Sequence, residues 1–166
     1  ALSTAQVSAL AVADVQALST LQLQAMETAD LAVLGTAKIA GLSTVQVTSL
    51  TSAQIKALTT EQFTAARVAA MWPIMGVDIS TDMIPAETGI VECAVSFTKG
   101  CYPGQELVER MDSRGSTAPK MLMRIDCPSD AVAGADVVFN GVTVGTYTTV
   151  ARTQAIALIK RGSVLS

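Results

Sequence analysis

The chain has 166 residues, of which 50% are apolar, 15% charged and 4% aromatic. This apolar content is enough for a buried core and excludes a fully disordered chain. A net charge of −3 argues against nucleic acid as a partner, and no apolar run reaches the roughly 18 residues of a membrane helix. The absence of histidine excludes Ser-His-Asp and Cys-His catalysis and histidine-ligated zinc by this sequence.

Composition changes sharply near residue 65. Residues 1–65 hold 6 of the 25 charged residues, no proline and a single aromatic residue, Phe63. Residues 66–166 hold all five prolines and 9 of the 11 glycines. We therefore predict two domains, a repeat segment at 1–65 and a second domain at 66–166.

The first segment consists of eight repeats of eight residues, called octads 1–8 here. Each octad begins with leucine or methionine: Leu2, Leu10, Leu18, Met26, Leu34, Leu42, Leu50 and Leu58. A second apolar residue follows five positions later: Val7, Val15, Leu23, Leu31, Ile39, Val47, Ile55 and Phe63. Val7 and Leu10 are three residues apart, as are Ile55 and Leu58, which places each pair on one face of a helical turn.

Helix-capping signals recur within the octads. Five octads carry the capping-box pattern S/T-x-x-Q: Ser3 with Gln6, Ser19 with Gln22, Ser43 with Gln46, Thr51 with Gln54, and Thr59 with Gln62. A cap every eight residues predicts a short helix, a corner and another short helix. We predict a solenoid-like array, in which stacked octads bury apolar faces that one octad exposes. A β-solenoid and a continuous, strongly wound helix remain as alternatives.

These octads resemble repeats of very large bacterial surface or secreted proteins, which implies a scaffold or spacer role. The sequence starts at Ala1, already in repeat phase, and its first octad has no distinct polar cap. We therefore expect self-association through the repeat segment. An excised fragment, a processed product and a chimera all agree with this beginning.

The second segment reads as one helix followed by strands. A helix is predicted from Phe63 to Met71, ended by the proline at position 73. Alternating or apolar stretches predict strands at 121–127, 137–139, 142–150 and 153–160, with a hairpin at Asn140-Gly141 and a bend at Gly145. The fold class expected is α+β, with a small antiparallel β-barrel or sandwich after the octads.

The most specific motif is K-G-C-Y-P-G-Q-E at residues 99–106. Together with a following arginine, it supplies the candidate site residues: Lys99, Gly100, Cys101, Tyr102, Gly104, Gln105, Glu106 and Arg110. This motif resembles the signature of the YgfZ family of folate-binding, iron–sulfur cluster maintenance proteins, which are relatives of the glycine-cleavage T-protein. The stretches 67–73, 84–89 and 94–98 are also similar to that family, so the resemblance spans roughly residues 66–166.

The resemblance implies tetrahydrofolate as a cofactor, but a full YgfZ-like protein has a much larger N-terminal part. That part supplies most of the folate pocket, and here the octads occupy its place. We therefore expect no cofactor for this chain alone, because an apolar ligand needs several walls around it.

Cys101 is the candidate catalytic residue. A helix predicted from Gln105 would put its positive N-terminal end close to this thiol, and Lys99 would add to the effect, so a thiolate is favoured. The resemblance implies a redox or cluster-related role for this cysteine. Cys93 and Cys127 form no C-x-x-C pair, so no metal site is expected. Three cysteines cannot all be paired, which indicates a reducing compartment. The YgfZ resemblance implies the cytoplasm, whereas the octads imply the cell surface or secretion.

Two functions remain. The first is a structural or assembly repeat module fused to a partial YgfZ-like domain, without catalysis of its own. The alternative is a degenerate folate-dependent iron–sulfur cluster maintenance protein that uses the reactive cysteine.

Overall fold

The structure, a computed structural model, describes residues 3–101, 103–113 and 118–163, with the backbone alone at Asp112 and Ser113. The chain divides into two compact units. The first contains Ala1–Trp72, Asp126–Ala131 and Val150–Ala155, and the second contains Pro73–Ile125, Val132–Thr149 and Ile156–Ser166. The domain boundary between residues 65 and 66 stays a prediction.

The octads form short helices separated by corners. Within the described residues these are α1 (Thr4–Ala9), α2 (Val12–Gln16), α3 (Thr20–Gln24), α4 (Thr28–Ala32), α5 (Thr36–Ala40), α6 (Thr44–Ser49), α7 (Ser52–Ala57) and α8 (Thr60–Ala69). The predicted alternation of helix and corner is confirmed, and the β-solenoid and the continuous helix are wrong. The helix predicted at 63–71 is α8, which begins earlier because Thr59 caps it.

All five predicted capping boxes are present. In octad 6, the Ser43 N–H donates to Gln46 Oε1 at 2.9 Å, and the Gln46 N–H donates to Ser43 Oγ at 3.2 Å. Each box satisfies two backbone donors that a helix N-terminus leaves without an intrahelical acceptor. Helices of five or six residues are too short to be stable alone, so these caps and the packing between octads define them.

Each helix of the octads packs against the helix three further along the chain: α1 with α4, α2 with α5, α3 with α6, α4 with α7, and α5 with α8; the longer α8 also contacts α6. The stacking period is therefore three octads, or 24 residues. From Val7 to Val47, the second apolar residue of each octad is at most 5% exposed, as expected. Phe63 differs and is 38% exposed, because α8 buries the face of Gln62, Ala65, Ala66 and Ala69 instead.

The strands are β1 (Lys120–Asp126), β2 (Asp136–Phe139), β3 (Val142–Ala151) and β4 (Gln154–Lys160). They form an antiparallel sheet in the order β1-β4-β3-β2. The fold class α+β is thus confirmed. Among the described residues the sheet is open, with β1 and β2 at its edges, so the predicted barrel or sandwich is unsupported. Short turns connect β2 to β3 to β4 and lay these strands side by side without closing the sheet.

The hairpin between β2 and β3 turns at Asn140 and Gly141, both with positive φ, as the Asn-Gly pair predicts. Val137 pairs with Gly145 and Val138 with Thr143, so residue 144 is an extra residue in β3. This β-bulge lies beside the bend predicted at Gly145. A Cβ on Gly145 would lie 2.3 Å from the Leu158 carbonyl oxygen, so this position requires glycine.

The part of the second unit before the sheet has little regular structure. It contains a 3₁₀ helix (Pro85–Glu87), α9 (Val91–Ala94) and α10 (Gln105–Ser113).

The buried carboxylate of Asp78 accepts hydrogen bonds at 2.6 Å from the hydroxyls of both Thr148 and Thr149. None of the helices in the described ranges is long and apolar enough to span a membrane.

Candidate functional site

The motif forms an exposed loop followed by the first turns of α10. Lys99, Gly100 and Cys101 are exposed, and Gly104 makes the turn into the helix with a φ of +86°. Tyr102 lies outside the described residues. Helix α10 begins at Gln105, as predicted, and places the Cys101 thiol four residues before its first residue. Thiolate formation at Cys101 stays a prediction.

The structure brings the later motif residues together along the surface of α10. Arg110 forms an ion pair with Glu106 one helical turn earlier, and Gln105 Nε2 donates to Glu109 Oε1 at 2.6 Å. Before the helix, the Lys99 N–H donates to Ser96 Oγ at 3.2 Å. These local contacts shape the loop and the helix surface, and exposed pairs of this kind add little stability.

The three cysteines have different environments. Cys93 and Cys101 are exposed, whereas Cys127 is buried. Cys93 Sγ donates to the Ile90 carbonyl oxygen at 3.2 Å, and Cys127 Sγ donates to that of Arg152 at 3.6 Å. Burial raises the pKa of the Cys127 thiol, and the nearby Asp126 carboxylate raises it further. Cys127 is therefore the least reactive of the three.

Tetrahydrofolate binding by this chain stays a prediction. A ligand of that size needs a cavity that covers most of its surface. The second unit has an open groove of about 460 Å³ with an apolar floor of Met121, Met123 and Ile159 and with Lys160 and Arg161 beside it. Of the motif residues that the structure describes, none lines this groove. The described residues also contain no group of three or more cysteine or carboxylate side chains placed to hold a metal ion.

Buried glutamine side chains in the octads form hydrogen bonds to backbone groups far away in the sequence. Gln54 is 2% exposed, and its Nε2 lies 2.8, 3.3 and 3.0 Å from the carbonyl oxygens of Leu23, Gln24 and Met26. Its Oε1 completes the box with Thr51. One amide therefore caps the N-terminus of its own helix and the C-terminus of a helix four octads earlier.

The same kind of bond recurs in octads 5 to 8. In each of them the donor is the fifth residue of the octad, and this place in any octad is here called the bridging position. Gln46 Nε2 contacts the carbonyl oxygens of Val15, Gln16 and Leu18 at 2.8–3.2 Å. Gln62 Nε2 donates to Ala32, and Lys38 Nζ donates to Ser8. Sequence reasoning assigned only caps to the glutamines. The overlooked signal is that all five boxes use glutamine, although glutamate caps equally well and only glutamine has a donor left.

Comparison with known proteins supports both resemblances. The ALTTAQ repeat family matches residues 23–60. The tRNA-modifying protein YgfZ of Yersinia enterocolitica is 43% identical over 53 residues, which are 31% of this chain and 16% of that protein. The YgfZ protein of Yersinia pestis gives the same values. An uncharacterized protein of Haemophilus influenzae is 32% identical over 75 residues, which are 43% of this chain and 27% of that protein.

The chain thus combines a repeat segment of the ALTTAQ type with a partial resemblance to YgfZ, as predicted from its sequence. It spans between about a sixth and about a quarter of the length of these curated relatives. No solved structure matches it.

Proposed function

We propose that this chain is a structural repeat module, a solenoid with three octads per turn, joined to a partial YgfZ-like segment and without catalysis of its own. The observation that carries the proposal is the set of bridging-position bonds. Each joins one turn to the turn before it through a buried or partly buried amide or ammonium donor. Burial removes a polar side chain from its hydrogen bonds to water, so buried polar side chains are normally hydrogen-bonded within the protein. Here the partners are carbonyl groups of other octads.

Self-association through the repeat segment belongs to the same proposal. A repeat array exposes an unfinished surface at its end unless a capping repeat covers it. In the first turn, the leucines that begin octads 2 and 3 are half-buried, whereas those that begin octads 5, 6 and 7 are buried. Association of such ends would give elongated particles.

The test measures particle size by light scattering over a wide range of concentrations, with a tetrahydrofolate titration followed by thermal shift on the same sample. We expect size to grow with concentration and no shift with tetrahydrofolate. A compact particle that stays monomeric at every concentration would contradict the assembly role. A saturable folate shift would favour the second candidate instead.

The second candidate is a degenerate folate-dependent iron–sulfur cluster maintenance protein that uses Cys101. It is favoured by the identity of 43% to proteins named as tRNA-modifying and by the exposed thiol in the motif. It predicts that a thiol reagent modifies Cys101 much faster than Cys93. The variants Cys101→Ser and Cys93→Ser assign the fast phase. Equal rates at these two exposed thiols, without a folate shift, would eliminate this candidate.

A further inference from the structure

The first turn of the repeat segment has a surface of the same type that the second turn buries. It consists of Gln6, Leu10, Leu18, Gln22 and Met26, here called the first-turn face. The three apolar residues that begin octads 2, 3 and 4 are half-buried. Leu34, Leu42 and Leu50, which begin the equivalent octads one turn later, are at most 7% exposed. These later octads carry α5, α6 and α7, which contact α2, α3 and α4 of the preceding turn.

The glutamine side chains of the first-turn face also differ from their equivalents in later octads. Gln6 and Gln22 occupy the bridging position, and their Oε1 atoms accept from the N–H groups of Ser3 and Ser19 at 2.8 and 2.9 Å. Their side chains are exposed, and within residues 3–101 and the other described ranges Nε2 has no acceptor. Gln46 and Gln54 form the same capping box, and their Nε2 groups donate to carbonyl oxygens at the C-terminal ends of earlier helices. In octad 2, the same position is occupied by Asp14, which has no donor; its carboxylate accepts from the Ala11 N–H.

We infer that the first-turn face docks a further turn of the same octad repeat. Its helix C-terminal carbonyls would lie on Gln6 Nε2 and Gln22 Nε2, and its apolar residues would cover Leu10, Leu18 and Met26. The occupant is identified by continuity with the interface inside the array, where the equivalents of Gln22 at 24 and 32 positions later, Gln46 and Gln54, and the equivalent of Gln6 at 32 positions later, Lys38, donate to an earlier turn of octads. The inference rests on the proposed solenoid, since it extends the stacking of that solenoid by one turn.

The experiment extends the full chain by a copy of residues 18–49, which are four octads, placed in phase before Leu2, because the acceptors of Gln6 would lie 28–31 positions earlier, as they do for Gln54. We expect the added residues to fold as helix, seen as a rise in helical ellipticity, and the thermal midpoint to rise by about 5 °C. An extension that adds no helix and leaves the midpoint unchanged would overturn the inference.

The matched variant is the pair Gln6→Glu and Gln22→Glu, which keeps the acceptor of each box and removes the donor. In the unextended chain we expect no loss of stability, because glutamate serves the box equally well. In the extended chain we expect this pair to remove most of the gain in midpoint. A gain that survives both substitutions would contradict the docking geometry.

Failure of the inference is distinguishable from failure of the proposed solenoid. Gln54→Glu in the unextended chain removes a donor inside the array. If Gln54→Glu lowers the midpoint while the extension does not fold, the solenoid stands and the docking is wrong. If Gln54→Glu has no effect, the stacking bond itself is wrong, and both proposals fall.

Discussion

The octads and the motif segment at residues 99–110 use polar side chains in opposite ways. In octads 6 to 8, the glutamines at the bridging position are buried, and those of octads 6 and 7 reach carbonyl groups 28–31 residues away. In the motif segment, Gln105, Glu106 and Arg110 contact side chains within one turn of their own helix and lie at the surface. Substitution should therefore affect folding in the octads and leave it almost unchanged in the motif.

This difference shows where each region finds its partners. An octad contacts other octads, so the repeat carries both halves of each contact and its sequence pattern is explained by its fold. The contacts described for the motif segment are local, between groups three or four residues apart. The role of Cys101 stays a prediction, which a comparison of thiol reactivity tests.

The largest expected effect is that of Gln54→Glu. It places a carboxylate against three carbonyl oxygens in a buried site, and we expect a loss of about 4 kcal/mol in the free energy of unfolding. Urea denaturation at pH 7 measures it. The loss should shrink towards pH 4, because a protonated carboxyl group donates again. The control Gln22→Glu has the same box and no buried acceptor, and a similar loss there would refute the distinction.

Leu31→Ala should come next, at about 3 kcal/mol, because Leu31 is fully buried and its removal leaves a cavity between octads. The same denaturation experiment measures it. Leu21→Ala is the matched control, since Leu21 is 75% exposed on the neighbouring octad and should change stability by less than about 0.5 kcal/mol. Equal effects would mean that the octads do not pack as described.

Thiol reactivity compares the exposed and the buried cysteines. At pH 8, Cys93 and Cys101 should react with a disulfide reagent at least about tenfold faster than Cys127, because burial hinders access and the raised pKa of Cys127 leaves less thiolate. Three equal rates in the folded protein would be incompatible with the burial of Cys127.

The smallest effect is expected for Glu106→Gln, which breaks the exposed ion pair with Arg110. Such pairs contribute roughly 0.3–0.5 kcal/mol, so the thermal midpoint should move by about 1 °C or less. Added salt should reduce even this change. A loss above about 1 kcal/mol would show that the motif supports the fold, and the contrast between the two regions would then disappear.

Local signals in the sequence predicted local structure. The capping boxes and the Asn140-Gly141 turn each depend on residues at most three apart, and the structure contains all of them. The bridging bonds were missed because their partners lie about 30 residues away, and their distance follows from a three-octad period that no single octad reveals. The open sheet and the exposure of Phe63 were missed for a related reason, since both depend on what lies beyond the element itself.

The bond between octads four apart also sets a minimum length. The first such contact in the chain joins Lys38 to Ser8, and its donor belongs to octad 5. An array of four octads or fewer contains none of these contacts, while each octad beyond the fourth adds one. A stretch of this repeat must therefore be longer than four octads before bonds of this kind can stabilise the stacking of its turns.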